Sequence, residues 1–191
     1  MQRDKLWHSL SAIGLKGKLL KVIKGMYDNV TACVRTKDGK TDSFMCNIGL
    51  KQGCLASSKL FSLFINELVK YLHNSGARGI QLQPGDDEIC SLMFADDVAL
   101  IADTVCGLQR QLNALQIFCK DNLLNVNTKK TKIVIFRNGG RPSSKEKWLY
   151  EGNELLIEQS FTYVGITFSS ARSLSQPNGR RQLCKRKASI K

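Results

Sequence analysis

The sequence predicts an α+β fold, an antiparallel sheet with helices packed on one face. Three observations predict it. Several segments carry apolar residues at helical spacing, and short strand-like runs alternate with Gly, Pro and Asp turn signals. The 191 residues, 42% hydrophobic, suffice for one ordinary domain with a core, or for a piece of a larger one.

The elements follow in order. "DKLWHSLSAIGLKGKLLKVIKGMYDN" places Leu6, Leu10, Ile13, Leu20, Ile23 and Met26 near one periodicity, with Gly14 and Gly17 marking a break between two helices. "TACVRT" and "DSFMCNI" flank Asp38-Gly39, a strong short-range hairpin signal. In "GLKQGCLASSKLFSLFINELVKYLHNSG", the residues Leu60, Phe61, Phe64, Ile65, Leu68, Val69 and Leu72 predict one buried helix stopped near Gly76. "GIQLQPGDDEICSLMFADDVALIADT" reads as strand, turn at Pro84-Gly85, strand, sharp turn, strand. Thr104 is placed to cap a helix whose Leu108, Leu112, Leu115 and Phe118 share a face. "KIVIF" predicts a strand, "RNGGRPSSKEK" a loop, "WLYEGNELLI" a hairpin through Gly152-Asn153, and "FTYVGITF" a last strand.

Charge narrows the partner. The 29 Lys and Arg against 16 Asp and Glu leave +13, which favours a polyanion such as nucleic acid over a membrane surface. Residues 169–191 hold seven Lys and Arg and no acid, and read either as a solvated basic tail or as a segment tracking a phosphate backbone. No apolar run approaches the ~20 residues of a spanning helix. The start "MQRDKLWHSL" lacks a signal-peptide h-region, so an intracellular location is expected, and "CKRKASIK" points to the nucleus. Seven scattered cysteines without a Cys-x-x-Cys pair argue against a disulfide scaffold or a structural zinc site, and most are expected to be reduced core residues.

"SLMFADDVALIA" sets two carboxylates, Asp96 and Asp97, inside an otherwise apolar run. Such a pair needs a turn into water, a cationic partner or a metal. Adjacent aspartates at a turn are often plain turn chemistry. Their setting between two strands puts them at a hairpin tip, where Mg²⁺ can be held by one or two carboxylates together with substrate phosphates.

These segments together resemble the reverse transcriptase domain of LINE-type non-LTR retrotransposons, in order along nearly the whole chain. "GLKQGCLASSKLFSLFIN" resembles the family's Gly-x-x-Gln-Gly-Cys-Pro-Leu-Ser-Pro-x-Leu-Phe segment, and "FADD" its Phe/Tyr-x-Asp-Asp turn. "NVNTKKTKIVIF" is similar to the Asn-x-x-Lys-Thr segment through Asn127, Lys130 and Thr131. "FTYVGITF" resembles the Phe-x-Tyr-Leu-Gly primer grip, with Val164 replacing Leu.

The resemblance implies a polymerase palm-like sheet over residues 1–168, with fingers and thumb largely missing, and a basic tail over 169–191 that opens a cut-off thumb. It implies RNA-directed DNA polymerase activity on an RNA template, a DNA primer and deoxynucleoside triphosphates, with two Mg²⁺ ions, or Mn²⁺, about 3.5 to 4 Å apart. Asp96 and Asp97 would be the metal ligands and catalytic carboxylates, and Lys130 would neutralise or protonate pyrophosphate. Gln52, Gly53 and Phe94 would border nucleotide and template, while Phe161, Tyr163 and Gly165 would grip the primer.

Two departures shape the expectation. Leu55-Ala56-Ser57-Ser58 stands for Pro-Leu-Ser-Pro, and without proline's fixed φ the loop loses preset backbone angles. The family's third metal-binding aspartate lies on a strand that would precede Met1, so little or no polymerase activity is expected of this chain by itself. The alternatives are a polymerase completed by further protein and a non-enzymatic basic nucleic-acid-binding protein.

Overall fold

The computed structural model describes residues 1–136 and 146–170. The chain divides into two compact units, Met1–Glu67 and Leu68–Lys191.

In the first unit, α1 (Arg3–Ala12) and α2 (Gly17–Gly25) are separated where Gly14 and Gly17 take φ of 98° and 63°, angles that favour glycine. Leu6 and Leu10 of α1 are buried with Leu60, Phe64 and Ile65 of α3 (Leu55–Ile65), at roughly 1.5–3 kcal/mol for each large side chain. The Asp38 signal makes a nested hairpin. The pair β2 (Arg35–Thr36) and β3 (Gly39–Lys40) turns through Lys37-Asp38, inside β1 (Thr31–Ala32) paired with β4 (Phe44–Met45).

The single helix expected over Leu60 to Leu72 is instead two. The first, α3, ends at Ile65, and α4 runs Leu68–Asn74. Apolar residues keep helical spacing in the sequence across the break, and Leu68 and Leu72 are buried in their own unit, which is why periodicity alone hides it.

The core of the second unit is built on α5 (Val105–Asn122). Thr104 Oγ1 accepts from the Gly107 amide at 3.1 Å, as its capping position predicts, and Leu108, Leu112, Leu115 and Phe118 are buried. Against α5 stand α4, with Tyr71 edge-on to Phe118 at 5.3 Å, and Trp148, whose indole donates to the Val105 carbonyl at 3.1 Å. Gln111 spans inward from the same helix and donates to the Ile101 carbonyl at 2.9 Å.

The strands pair in twos, and no larger sheet forms among the described residues. Besides the first unit's pairs these are β5 (Ser91–Phe94) with β6 (Asp97–Leu100), β8 (Leu149–Tyr150) with β9 (Asn153–Glu154), and β11 (Ser160–Tyr163) with β12 (Ile166–Ser169), all antiparallel. One pair departs from the antiparallel expectation. The β7 (Lys132–Ile133) part of "KIVIF" runs parallel to β10 (Leu156–Ile157), and Lys132 meets Glu158 at 3.3 Å just past that register.

Three local expectations also change. The strand expected at "GIQLQ" is a single bridge, Ile80 to Ile89. The turn of "WLYEGNELLI" falls on Glu151-Gly152, because that pair takes φ of 50° and 77°. "FTYVGITF" is a hairpin and not one strand, since Val164 and Gly165 at φ of 49° and 77° reverse the chain. Of the cysteines described, Cys119 is buried while Cys33 and Cys106 are exposed, so burial is not their common property. The greater part of the predicted loop and the basic tail, 137–145 and 171–191, lie outside the described residues.

Candidate active site

The β5–β6 hairpin presents the two aspartates. Phe94 pairs with Asp97, which leaves Ala95-Asp96 as a two-residue loop. Ala95 sits at φ 50°, a region costly for a residue with a Cβ and one in which strain gathers at functional sites. Asp96 is exposed at the tip, whereas Asp97 is half-buried and begins a strand whose Val98, Ala99 and Leu100 are all buried. The pair therefore sits where a core strand emerges into water, the cheapest place to hold two adjacent charges. On β5 the exposed positions are Leu92 and Phe94, with Phe94 61% exposed.

The second hairpin, β11–β12, carries the aromatic residues. Phe161 and Tyr163 are both half-buried, two residues apart on one face of β11, and Thr162 and Thr167 share a hydroxyl hydrogen bond of 2.9 Å on the other. The Tyr163 phenol is pushed above its ordinary pKa, mostly by burial and further by the Asp97 carboxylate. Gly165 completes the turn beside it. Of the three expected primer-grip residues, Tyr163 is the one that feels the Asp97 charge.

The Asn127–Thr131 segment is a compact turn. The amides of Lys130 and Thr131 both donate to the Asn127 carbonyl at 3.0 Å, and the Thr131 hydroxyl does so at 2.9 Å. Thr131 is buried under this turn and Lys130 is exposed at its surface.

Gln52 and Gly53 belong to the other unit, in the loop that leads into α3. Gly53 takes φ 80°, and Gln52 is exposed on the rim of an open concavity of about 680 Å³ that Arg3, Asn29, Thr31 and Lys51 also line. Cys54 stands at the N-cap of α3. Hydrogen bonds from Ser57, then Ala56, and the charge of Lys51 lower its thiol pKa. Sequence reasoning missed the residues that hold this loop, Arg3 and Tyr27, because neither lies in a motif.

Oxygen donors of this kind suit a hard divalent cation, and a pair of carboxylates completed by substrate phosphates is an accepted way to hold Mg²⁺. Among the described residues no group of three or more His, Cys, Asp or Glu side chains gathers as a ready cage.

Two adjacent carboxylates at a hairpin tip and a second hairpin carrying Phe161 and Tyr163 are the features of this unit, and comparison with known proteins supplies the class. The reverse transcriptase (RNA-dependent DNA polymerase) family matches residues 1–168. The chain belongs to this family, as a reverse transcriptase domain of the non-LTR retrotransposon kind.

It is similar to the retrovirus-related Pol polyprotein from type-1 retrotransposable element R2 of Popillia japonica. The two are 29% identical over 163 residues, which cover 82% of this chain and 26% of that protein. The corresponding R2 polyprotein of Bradysia coprophila is 26% identical over 181 residues, covering 88% of this chain and 20% of its own length. The Transposon TX1 uncharacterized 149 kDa protein of Xenopus laevis is 24% identical over 123 residues, 64% of this chain and 9% of that protein. The chain thus spans about a quarter or less of the curated relatives it matches. Among the described residues, no helix is long and apolar enough to cross a membrane.

Proposed function

We propose that this chain carries the nucleotidyl-transfer centre of an RNA-directed DNA polymerase, on a palm-like scaffold that takes an RNA template, a DNA primer and deoxynucleoside triphosphates. The observation that carries the reading is the display of Asp96 and Asp97 at the tip of one hairpin with Tyr163 of another within reach of the Asp97 charge.

Asp96, exposed at the tip, and Asp97, anchored by a buried strand, would hold Mg²⁺, with Mn²⁺ as a substitute. When bound, the metal would stabilise charge on the phosphate oxygens and lower the pKa of the primer hydroxyl. The chain's own groups do the positioning. Phe161 and Tyr163 set the primer end near Asp97, with Gly165 letting the strand turn there. Each unit would bring its own contacts to nucleotide and template, Gln52 and Gly53 in the first and Phe94 in the second. The primer 3′-hydroxyl gives its proton to water as its oxygen attacks the α-phosphorus, the α–β phosphoanhydride bond breaks, and Lys130 Nζ neutralises or protonates the departing pyrophosphate. Alignment of this kind supplies much of the rate in such reactions.

Two measurements test the proposal. Primer extension on an RNA template with Mg²⁺, measured with the chain completed by further protein, is expected to be abolished by Asp96→Ala, and incorporation that survives the substitution would overturn it. A readout independent of turnover replaces Mg²⁺ with Fe²⁺ in the presence of ascorbate and peroxide. Backbone cleavage is expected near residues 94–98 and is expected to disappear in Asp96→Asn/Asp97→Asn. Cleavage unchanged in that variant removes the metal assignment.

A further inference from the structure

Residues 49–58 contain no proline, and Gly49 and Gly53 among them take φ 75° and 80°, which leaves open what orders the loop before α3. A short segment with two glycines is costly to hold in one conformation. The first unit supplies the restraint from residues far off in sequence.

Arg3 Nε donates to the Gly49 carbonyl at 2.9 Å, and the Gly49 amide donates to the Met1 carbonyl at 3.1 Å. Arg3 Nη1 donates to the Tyr27 carbonyl at 2.9 Å, and its guanidinium lies 5.3 Å from the Tyr27 ring centroid. Lys51, the residue before Gln52, sets its ammonium 5.8 Å from the same ring. On the far side of Gln52 and Gly53, the Tyr27 hydroxyl and Ser57 Oγ share a buried hydrogen bond of 2.7 Å. Trp7 closes the ring's edge at 5.7 Å between centroids, and Tyr27 is 2% exposed. Tyr27 thus contacts the loop on both sides of the exposed Gln52 while remaining out of solvent itself. Cation–π contacts and a buried hydroxyl pair are each modest, but they restrain one short segment from two ends.

We propose that Tyr27 is a positioning residue. Held by Arg3, it fixes the loop from Gly49 to Ser57 through Lys51 and Ser57, so that Gln52 and Gly53 meet the nucleotide in one arrangement. This rests on the nucleotide reading of Gln52 given above. The Tyr27–Ser57 clamp does the ordering that proline would do in this segment.

The test compares the full chain with Tyr27→Phe, which removes only the hydroxyl, with Ser57→Ala, and with the double variant. Amide hydrogen exchange across residues 49–57 is expected to rise about tenfold in each, with α5 unchanged. No rise in that segment overturns the clamp, whether or not the chain turns over. Binding of deoxythymidine triphosphate to the chain on poly(rA)–oligo(dT) is expected to weaken about fivefold in either single variant, and no further in the double. Faster exchange with unchanged nucleotide affinity overturns the positioning role and leaves a purely structural bond. Affinity that Gln52→Ala does not change overturns instead the reading of this loop as a nucleotide contact, an outcome the exchange measurement keeps distinct.

Discussion

Asp97 and Tyr163 belong to different hairpins, yet the Asp97 carboxylate helps hold the Tyr163 phenol above its ordinary pKa, second only to burial of the ring. Removing the charge in Asp97→Asn should therefore lower the Tyr163 pKa only part of the way, since burial persists. Ultraviolet titration of the phenols checks this, with Tyr163→Phe identifying the signal. An unmoved titration would separate the two hairpins.

Val164 occupies the left-handed region at φ 49° in the β11–β12 turn, where a β-branched side chain is strained. Val164→Gly should relieve that strain and stabilise the chain by about 1 kcal/mol, raising Tm by about 2–4 °C. Thermal unfolding measures it directly. Because Val164 is 47% exposed, little buried apolar surface is lost in the exchange.

Gly79 has no such angle but no room either. A Cβ there would fall on the Ile89 carbonyl, which accepts the Ile80 amide at 3.0 Å across the bridge. Gly79→Ala should destabilise by about 1–3 kcal/mol through that clash. Faster exchange of the Ile80 and Ile89 amides would locate the damage.

Burial pushes the Cys119 thiol up to about 11, against a hydrogen bond with Tyr150 that lowers it. The neutral thiol is thus favoured by the fold. The stability it contributes is complete below the unfolded pKa near 9 and is lost as pH rises through about 11. Across that window the loss is roughly 2–3 kcal/mol, at about 1.4 kcal/mol per unit. Urea unfolding between pH 8.5 and 11 should show a steeper decline in the natural chain than in Cys119→Ala. At pH 8 iodoacetamide should reach Cys54, whose thiol pKa is lowered, well before Cys119.

Much of the local structure was legible. Thr104 announced α5, the glycines separated α1 from α2, and the alternation around "FADD" placed both aspartates at a turn. The break between α3 and α4 was not legible, because Asn66 and Glu67 interrupt no apolar periodicity. Nor was the β11–β12 turn, since valine is a strand former and only its backbone angle shows the reversal. The parallel pairing of Lys132 with Leu156 depends on chain closure between distant residues, which no local pattern records.

By itself the sequence determined the family, the order of its motifs and the chemistry of its side chains. A carboxylate pair, a Gln-Gly loop and an aromatic strand are local patterns that survive in one dimension. Tertiary structure decided which of these meet. It put Tyr163 within range of the Asp97 charge, and it gave Tyr27, which stands in no motif, a hold on both sides of Gln52. The physical reason is range: periodicity and turn propensity act over a few residues, whereas a charge's field and a buried hydroxyl pair connect whatever the fold brings within a few ångströms.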